Sequence, residues 1–261
     1  MILDCILTAC NNVHCYYRLI PLFISSCKYF YPNVDVKIIL INEVIPIELK
    51  KYTDNIICFK NPGNISDVFI SQYIRLLYPC LLDYKNGILI TDIDDLPLST
   101  TYFTKSIEQY DNDKWINYRD NSLWLKDQIV ICWQVAASDT WREVMNINNI
   151  DDLNNRLLEV FSKIKYGGNH GGAGWTTDQK HLHDYIEKWN KKNTHFINLS
   201  DKKIGFNRFP PYISNNTPYE TIIKEIKKNV YSDYHIWKPY DRFLDFNNYL
   251  INSFNLDKPL D

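Results

Sequence analysis

The chain has 261 residues, 45% of them hydrophobic and 23% charged, with a formal net charge of -2. This is a globular composition long enough for one large α/β domain or two small ones, and its near-neutral charge gives no overall electrostatic footprint for nucleic acid, so that any basic patch would have to be local. Its seven cysteines, an odd number, include no C-x-x-C pair and no Cys/His spacing suited to zinc, so neither a zinc ribbon nor a disulfide framework is indicated and a reducing compartment is expected.

In chain order, residues 2–8 read as a first strand, and residues 11–30 carry apolar positions at helical spacing after an asparagine pair able to cap. VDVKIILIN (34–42) reads as a second buried strand, IPIELKKY (45–52) as a short helix and NIICFK (55–60) as a third strand. This alternation predicts parallel strands joined by crossover helices. Residues 66–84 form an amphipathic helix opened by Ser66, with Pro79 near its end, and lead into the strand of GILITDIDDLPLST (87–100). Beyond it the pattern is less regular. Strands are expected at 114–119 and 128–138, and helices at 139–147, 152–164 and 176–192. YGGNHGGAGW (166–175) holds five of the chain's eight glycines and reads as a mobile loop or lid, with His170 a candidate donor contact. No repeat or low-complexity linker divides the chain, so one domain is expected over 1–261.

Asp92, Asp94 and Asp95 stand where a strand buried on both faces ends, at the sheet edge where open α/β sheets bind ligands. Strand alternation predicts Asp92 and Asp94 on one side and Asp95 on the other. Two hard oxygen ligands on one face suit Mg²⁺ or Mn²⁺. The bland alternative is a solvated turn in which Asp95 and Ser99 cap the next helix. Arg75 lies on an otherwise apolar helix face just before that strand. His181 and His183, two apart on a helix, diverge, and solvent or helix-end roles are expected for both. Trp133, Trp175 and Trp237 are candidates for stacking on sugar rings.

The stretch from Ser71 to Leu98 resembles the Arg-Leu-x-x-Pro helix and Asp-x-Asp strand of GT-A-fold glycosyltransferases, most nearly the glycogenin and bacterial galactosyltransferase group, family 8. LTACNNVHCYYRLIPLFISSC (7–27) is similar to that family's first strand, loop and helix, TTDQKHL (176–182) to its Asp-Gln motif, and HIWKPYD (235–241) to its closing His and Lys-Pro element. The resemblance implies a Rossmann-like, mostly parallel sheet flanked by helices. It implies a nucleotide-binding half at 1–100, and an acceptor half with a C-terminal extension, of mixed α+β structure, at 101–261.

It further implies transfer of a sugar from a nucleoside-diphosphate donor, UDP-linked, to a glycan or other hydroxyl acceptor, with retention favoured. Asp92, Asp94 and His235 would hold Mn²⁺ or Mg²⁺, and Thr8, Ala9 and Asn11 would line the base and ribose pocket. Arg75 would contact donor sugar or phosphate, Asp178 and Gln179 would sit at the reacting sugar, and Lys238 would contact a phosphate. The chain departs from the family in its short spacer between His235 and Lys238, and in CWQVAASDTW (132–141), which replaces an Asn-Ser-Gly strand.

Two other readings stand beside this one. ILITDIDDL (88–96) approximates the Asp-x-Asp signature of haloacid-dehalogenase phosphatases, although that fold carries it on the first strand and Leu96 replaces the expected Thr or Val. A non-catalytic nucleotide-sugar or glycan-binding module is the other. The opening residues lack a signal-peptide pattern and no apolar run reaches the length of a membrane span, so a cytoplasmic location is expected.

Overall fold

The computed structural model describes residues 1–119, 127–191, 194–200, 203 and 205–260. β1 (Leu3–Cys10) leads through α1 (His14–Tyr17) and α2 (Ile20–Phe30) to β2 (Asp35–Ile41) and β3 (Ile56–Phe59). α3 (Asp67–Leu77) then returns the chain to β4 (Gly87–Ile90) and a short β5 (Asp95–Pro97). After α4 (Tyr102–Lys105) come β6 (Trp115–Asn117), β7 (Gln134–Ala137), α5 (Ser138–Met145), α6 (Ile150–Lys163) and α7 (Thr177–Asn190). The chain closes with β8 (Phe196–Asn198), β9 (Asn207–Phe209), α8 (Tyr219–Lys227), β10 (Tyr231–His235) and α9 (Leu244–Phe254).

Seven strands form the central sheet in the order β3-β2-β1-β4-β7-β6-β8. Neighbours from β3 to β4 run parallel, β7 is antiparallel to both β4 and β6, and β8 is parallel to β6. The sheet is apolar on both faces because helices cover both. Val36, Ile38, Leu40 and Leu89 pack into one core, and Ile39, Ile41, Ile88 and Ile90 into the other. β1 lies between β2 and β4, so strand order reverses beside it and the strand ends diverge there into a crevice. A second, three-stranded sheet, β5-β10-β9, stands at that edge, with His235 opposite Asp95.

Several expected elements are reshaped. The 11–30 helix divides into α1 and α2, with Pro21, which has no N–H to donate, in the first turn of α2. The 66–84 helix ends at Leu77 and continues as a 3-10 turn over Tyr78–Leu81, and the Ser66 side chain makes no capping hydrogen bond. The short helix at 45–52 is a 3-10 helix over Ile47–Asn55. The 128–138 strand shrinks to β7, because Trp133 adopts a left-handed φ of 67° that ends extended pairing. No helix of the described residues is long and apolar enough to cross a membrane.

Candidate active site

A cavity of about 410 Å³ opens between the C-terminal ends of β1 and β4. It is lined by Ala9 and Asn11 from β1 and its loop, Arg75 from α3, Asp92 and Asp94 from the turn after β4, Asp178 and Gln179 from α7, and His235 and Lys238 at the end of β10. Nine of the ten residues expected to form the site therefore meet in one place. Thr8 is the exception. It is fully buried, and its hydroxyl donates to the Thr91 carbonyl at 2.9 Å, tying β1 to the end of β4 instead of facing the cavity.

Each element delivers its side chain for a local reason. On α3, Val68, Ser71, Gln72 and Arg75 follow helical spacing along one cavity-facing stripe, while Phe69, Ile70, Tyr73 and Ile74 pack into the core. Asp178 lies in the first turn of α7, where a carboxylate complements the helix dipole, and accepts from the Gln179 N–H at 2.8 Å. β10 runs antiparallel to β5, and the Ile236 N–H donates to the Asp94 carbonyl at 2.8 Å, so strand pairing carries His235 and Lys238 alongside the acidic turn.

The acidic turn does not keep the alternation of an extended strand. The Asp95 N–H donates to the Asp92 carbonyl at 3.1 Å, folding Asp95 back towards Asp92. Asp92 pairs with the Arg75 Nη1, and Arg75 Nη2 lies 3.7 Å from Asp178 Oδ2. Asp94 accepts from Lys238 Nζ at 2.7 Å and lies 3.4 Å from His235 Nε2, so the short spacer allows both side chains to reach it. Asp95 is buried, with Oδ2 accepting from Arg208 Nη2 at 3.3 Å, and is no helix cap. Ser99 alone takes that part, accepting from the N–H groups of Thr101 and Tyr102.

Burial would raise the Asp94 carboxyl, but the hydrogen bond from His235 and the charge of Lys238 outweigh it and hold it well below the usual range. The same hydrogen bond, with Asp95 and Asp94 beside it, pushes His235 up to about 9. Burial pushes Asp95 to about 7 against the pull of Arg208, and Asp178 to about 6 against the pull of Arg75. The cavity thus carries strongly ionised and strongly resisted carboxylates side by side, as sites that bind or move charge do.

As the side chains stand, Asp92, Asp94 and His235 do not converge on one point, since Asp92 turns to Arg75 and Asp94 to Lys238. Among the described residues, the set of potential metal ligands that does converge is Asp92, Asp95 and Cys132, with atoms within 4.8 Å of one another. The donor set still fits a hard divalent cation. Three carboxylates adjoin an imidazole, and Asp95 Oδ1 is buried without a hydrogen-bond partner among the described residues. Cys132 does not suit such an ion, because a thiol is a soft ligand and Mg²⁺ and Mn²⁺ take hard oxygen donors.

Of the other sequence candidates, Trp175 and the exposed His170 line the cavity. Trp133 does not stack on a ligand; it is buried, with its ring centroid 4.3 Å from that of Phe103. Trp237 packs against Phe243 away from the cavity. His181 turns inward, its Nδ1 within 2.6 Å of the Tyr73 hydroxyl, whereas His183 lies 3.5 Å from Asp184. Tyr16, Gln72 and Cys132 also line the cavity and were not singled out from sequence. Gln72 was findable, because it lies one helical turn before Arg75 on the same face.

No family model matches the sequence, and no curated protein matches it. Solved structures do match. The galactosyltransferase LgtC in complex with donor and acceptor sugar analogues superposes with a TM-score of 0.51 at 13% identity, over 96% of this chain and 99% of that one. The glycosyltransferase GlyE of Streptococcus pneumoniae superposes with a TM-score of 0.52 at 13% identity, over 100% of this chain and 66% of that one. The fold is GT-A. Within it, the motif-bearing β4 follows three other strands of the same sheet, so the first-strand position required by the phosphatase alternative is absent from this architecture.

Proposed function

We propose that this protein is a metal-dependent glycosyltransferase that moves a sugar from a nucleoside-diphosphate donor, UDP-linked, to a hydroxyl-bearing acceptor such as a glycan. The observation that carries this reading is the gathering of Arg75, Asp92, Asp94, Asp178, Gln179, His235 and Lys238 around one cavity at the strand-order reversal of a GT-A fold. Asp92 and Asp94, with His235 beside them, would hold Mn²⁺ or Mg²⁺, and that ion, when bound, neutralises charge on the departing diphosphate.

The chain's own residues supply the rest. Lys238, already at the mouth of the acidic turn, places an ammonium against a phosphate. Ala9 and Asn11 form the wall at the end of β1 where the nucleoside would lie. Arg75 orients donor oxygens and keeps Asp178 ionised, and Gln179 hydrogen-bonds the transferring sugar. Retention is favoured because Asp178 is held by Arg75 and the Gln179 N–H, which suits a positioning carboxylate better than a free base for the acceptor.

Incubation with UDP-, GDP- and CDP-sugars and a broad acceptor panel tests the reading by mass spectrometry of products. Mn²⁺-dependent release of UDP with a glycosylated product, abolished in Asp94→Asn, is the expected result. Donor binding with no turnover across the panel would make the protein a nucleotide-sugar-binding module instead.

A further inference from the structure

A series of alternating charges runs from the end of β6 to the acidic turn. Arg119 Nη2 donates to Asp233 Oδ1, Arg208 Nε to Asp233 Oδ2 at 2.7 Å, and Arg208 Nη2 to Asp95 Oδ2 at 3.3 Å. Arg119, Asp233 and Asp95 are all buried. The guanidinium of Arg208 is thus shared between two carboxylates and does not close on Asp95 as a two-bond fork. One Asp95 oxygen is fixed, and the other, Oδ1, is left buried with no hydrogen-bond partner among the described residues.

Ligand-type atoms surround that carboxylate. The turn from Asp92 brings a ligand atom of Asp95 within 4.8 Å of one from Asp92, and cross-strand pairing puts His235 Nδ1 3.8 Å from Oδ1. His235 faces Oδ1 from beyond hydrogen-bond distance, so the buried oxygen keeps an ionic neighbour but no hydrogen-bond donor among the described residues, and a buried acceptor left without one opposes folding. A hard cation between Asp92 and Asp95 supplies the missing partner.

We infer that Asp95 is a further carboxylate ligand of the divalent cation, beside Asp92, and that Arg119, Asp233 and Arg208 hold it in place. This rests on the metal-dependent reading above and adds to it a residue outside the Asp-x-Asp pair. Cys132 stays outside the ligand set.

Titration of the full chain with Mn²⁺, followed by the electron paramagnetic resonance signal of the free ion, tests it without reference to activity. Asp95→Asn keeps an oxygen for Arg208 but removes the charge, and a loss of Mn²⁺ affinity of tenfold or more is expected. Near wild-type Mn²⁺ affinity in Asp95→Asn, with Asp92→Asn defective, overturns the inference and leaves the transferase reading standing. A folded wild-type chain that binds no Mn²⁺, alone or with UDP, overturns both. Should Asp95→Asn fail to fold, anomalous diffraction from wild-type crystals soaked in Mn²⁺ decides. An ion within coordination distance of Asp95 Oδ1 supports the inference, and one held by Asp92 and Asp94 without Asp95 overturns it.

Discussion

Arg75 sets the charge balance of the cavity, since its buried guanidinium stands between Asp92 and Asp178 and also donates to the Thr91 carbonyl at 3.2 Å. Removing it leaves the buried Asp178 facing the half-buried Asp92 with no positive charge between them. Arg75→Met, which keeps most of the volume, is expected to lose about 3 kcal/mol of stability in urea unfolding with chelator present. A loss below about 1 kcal/mol would show that the pairings contribute little. His235 gives a signed pH dependence. Its folded value of about 9 lies above its ordinary 6.5, so its contribution is complete below pH 6.5 and is lost as pH rises to 9. In chelator, the melting-temperature gap between wild type and His235→Asn should therefore shrink across that range, and a constant gap would contradict the Asp94 contact as its cause. Most of these residues were legible because an Asp pair after an apolar strand, or an Arg on an apolar helix face, conflicts with its surroundings. Asp95 was misplaced because its partners are distant in sequence. Arg208 and Asp233 lie 113 and 138 positions beyond it, and nothing local announces them.

Among the elements, the glycine-rich loop between α6 and α7 makes the sharpest prediction. Gly174 has a φ of 74°, and a Cβ there would lie 2.7 Å from the Lys165 carbonyl oxygen. Gly168 and Gly171 share the positive φ, but a Cβ there meets nothing within 4 Å among the described residues. Gly168→Ala and Gly171→Ala should each cost about 1 kcal/mol from backbone conformation alone, and Gly174→Ala distinctly more. Thermal unfolding of the three variants checks the order, and equal losses would contradict it. At the start of α6, Asn149 accepts from the Asp152 N–H at 2.9 Å, so Asn149→Ala should cost about 1 kcal/mol in the same assay. β1 to β4 and α3 were legible because unbroken apolar runs and helical periodicity reflect burial. β5, β9 and β10 were not. The first two are three residues long, and β10, YSDYH, carries polar side chains that only its non-local partners explain.

At the scale of the whole molecule, the second sheet completes the lining of the candidate site. The parallel strands supply the crevice and two carboxylates, and β10, more than 130 residues after β4, brings the histidine and lysine that face them. Chain order therefore conceals the cavity, although each motif in it can be read separately. The central claim is that this cavity binds a nucleoside diphosphate through a cation. The most direct measurement is thermal unfolding with UDP, GDP, CDP or ADP, each with Mn²⁺ or with chelator. Ligand at about a hundredfold excess over its Kd adds about 2.7 kcal/mol, a rise on the order of 5–10 °C for a chain of this size. The account predicts that rise with UDP and Mn²⁺ together, lost with chelator and lost in Asp92→Asn. A folded protein whose melting temperature no nucleotide changes, with or without Mn²⁺, would contradict it.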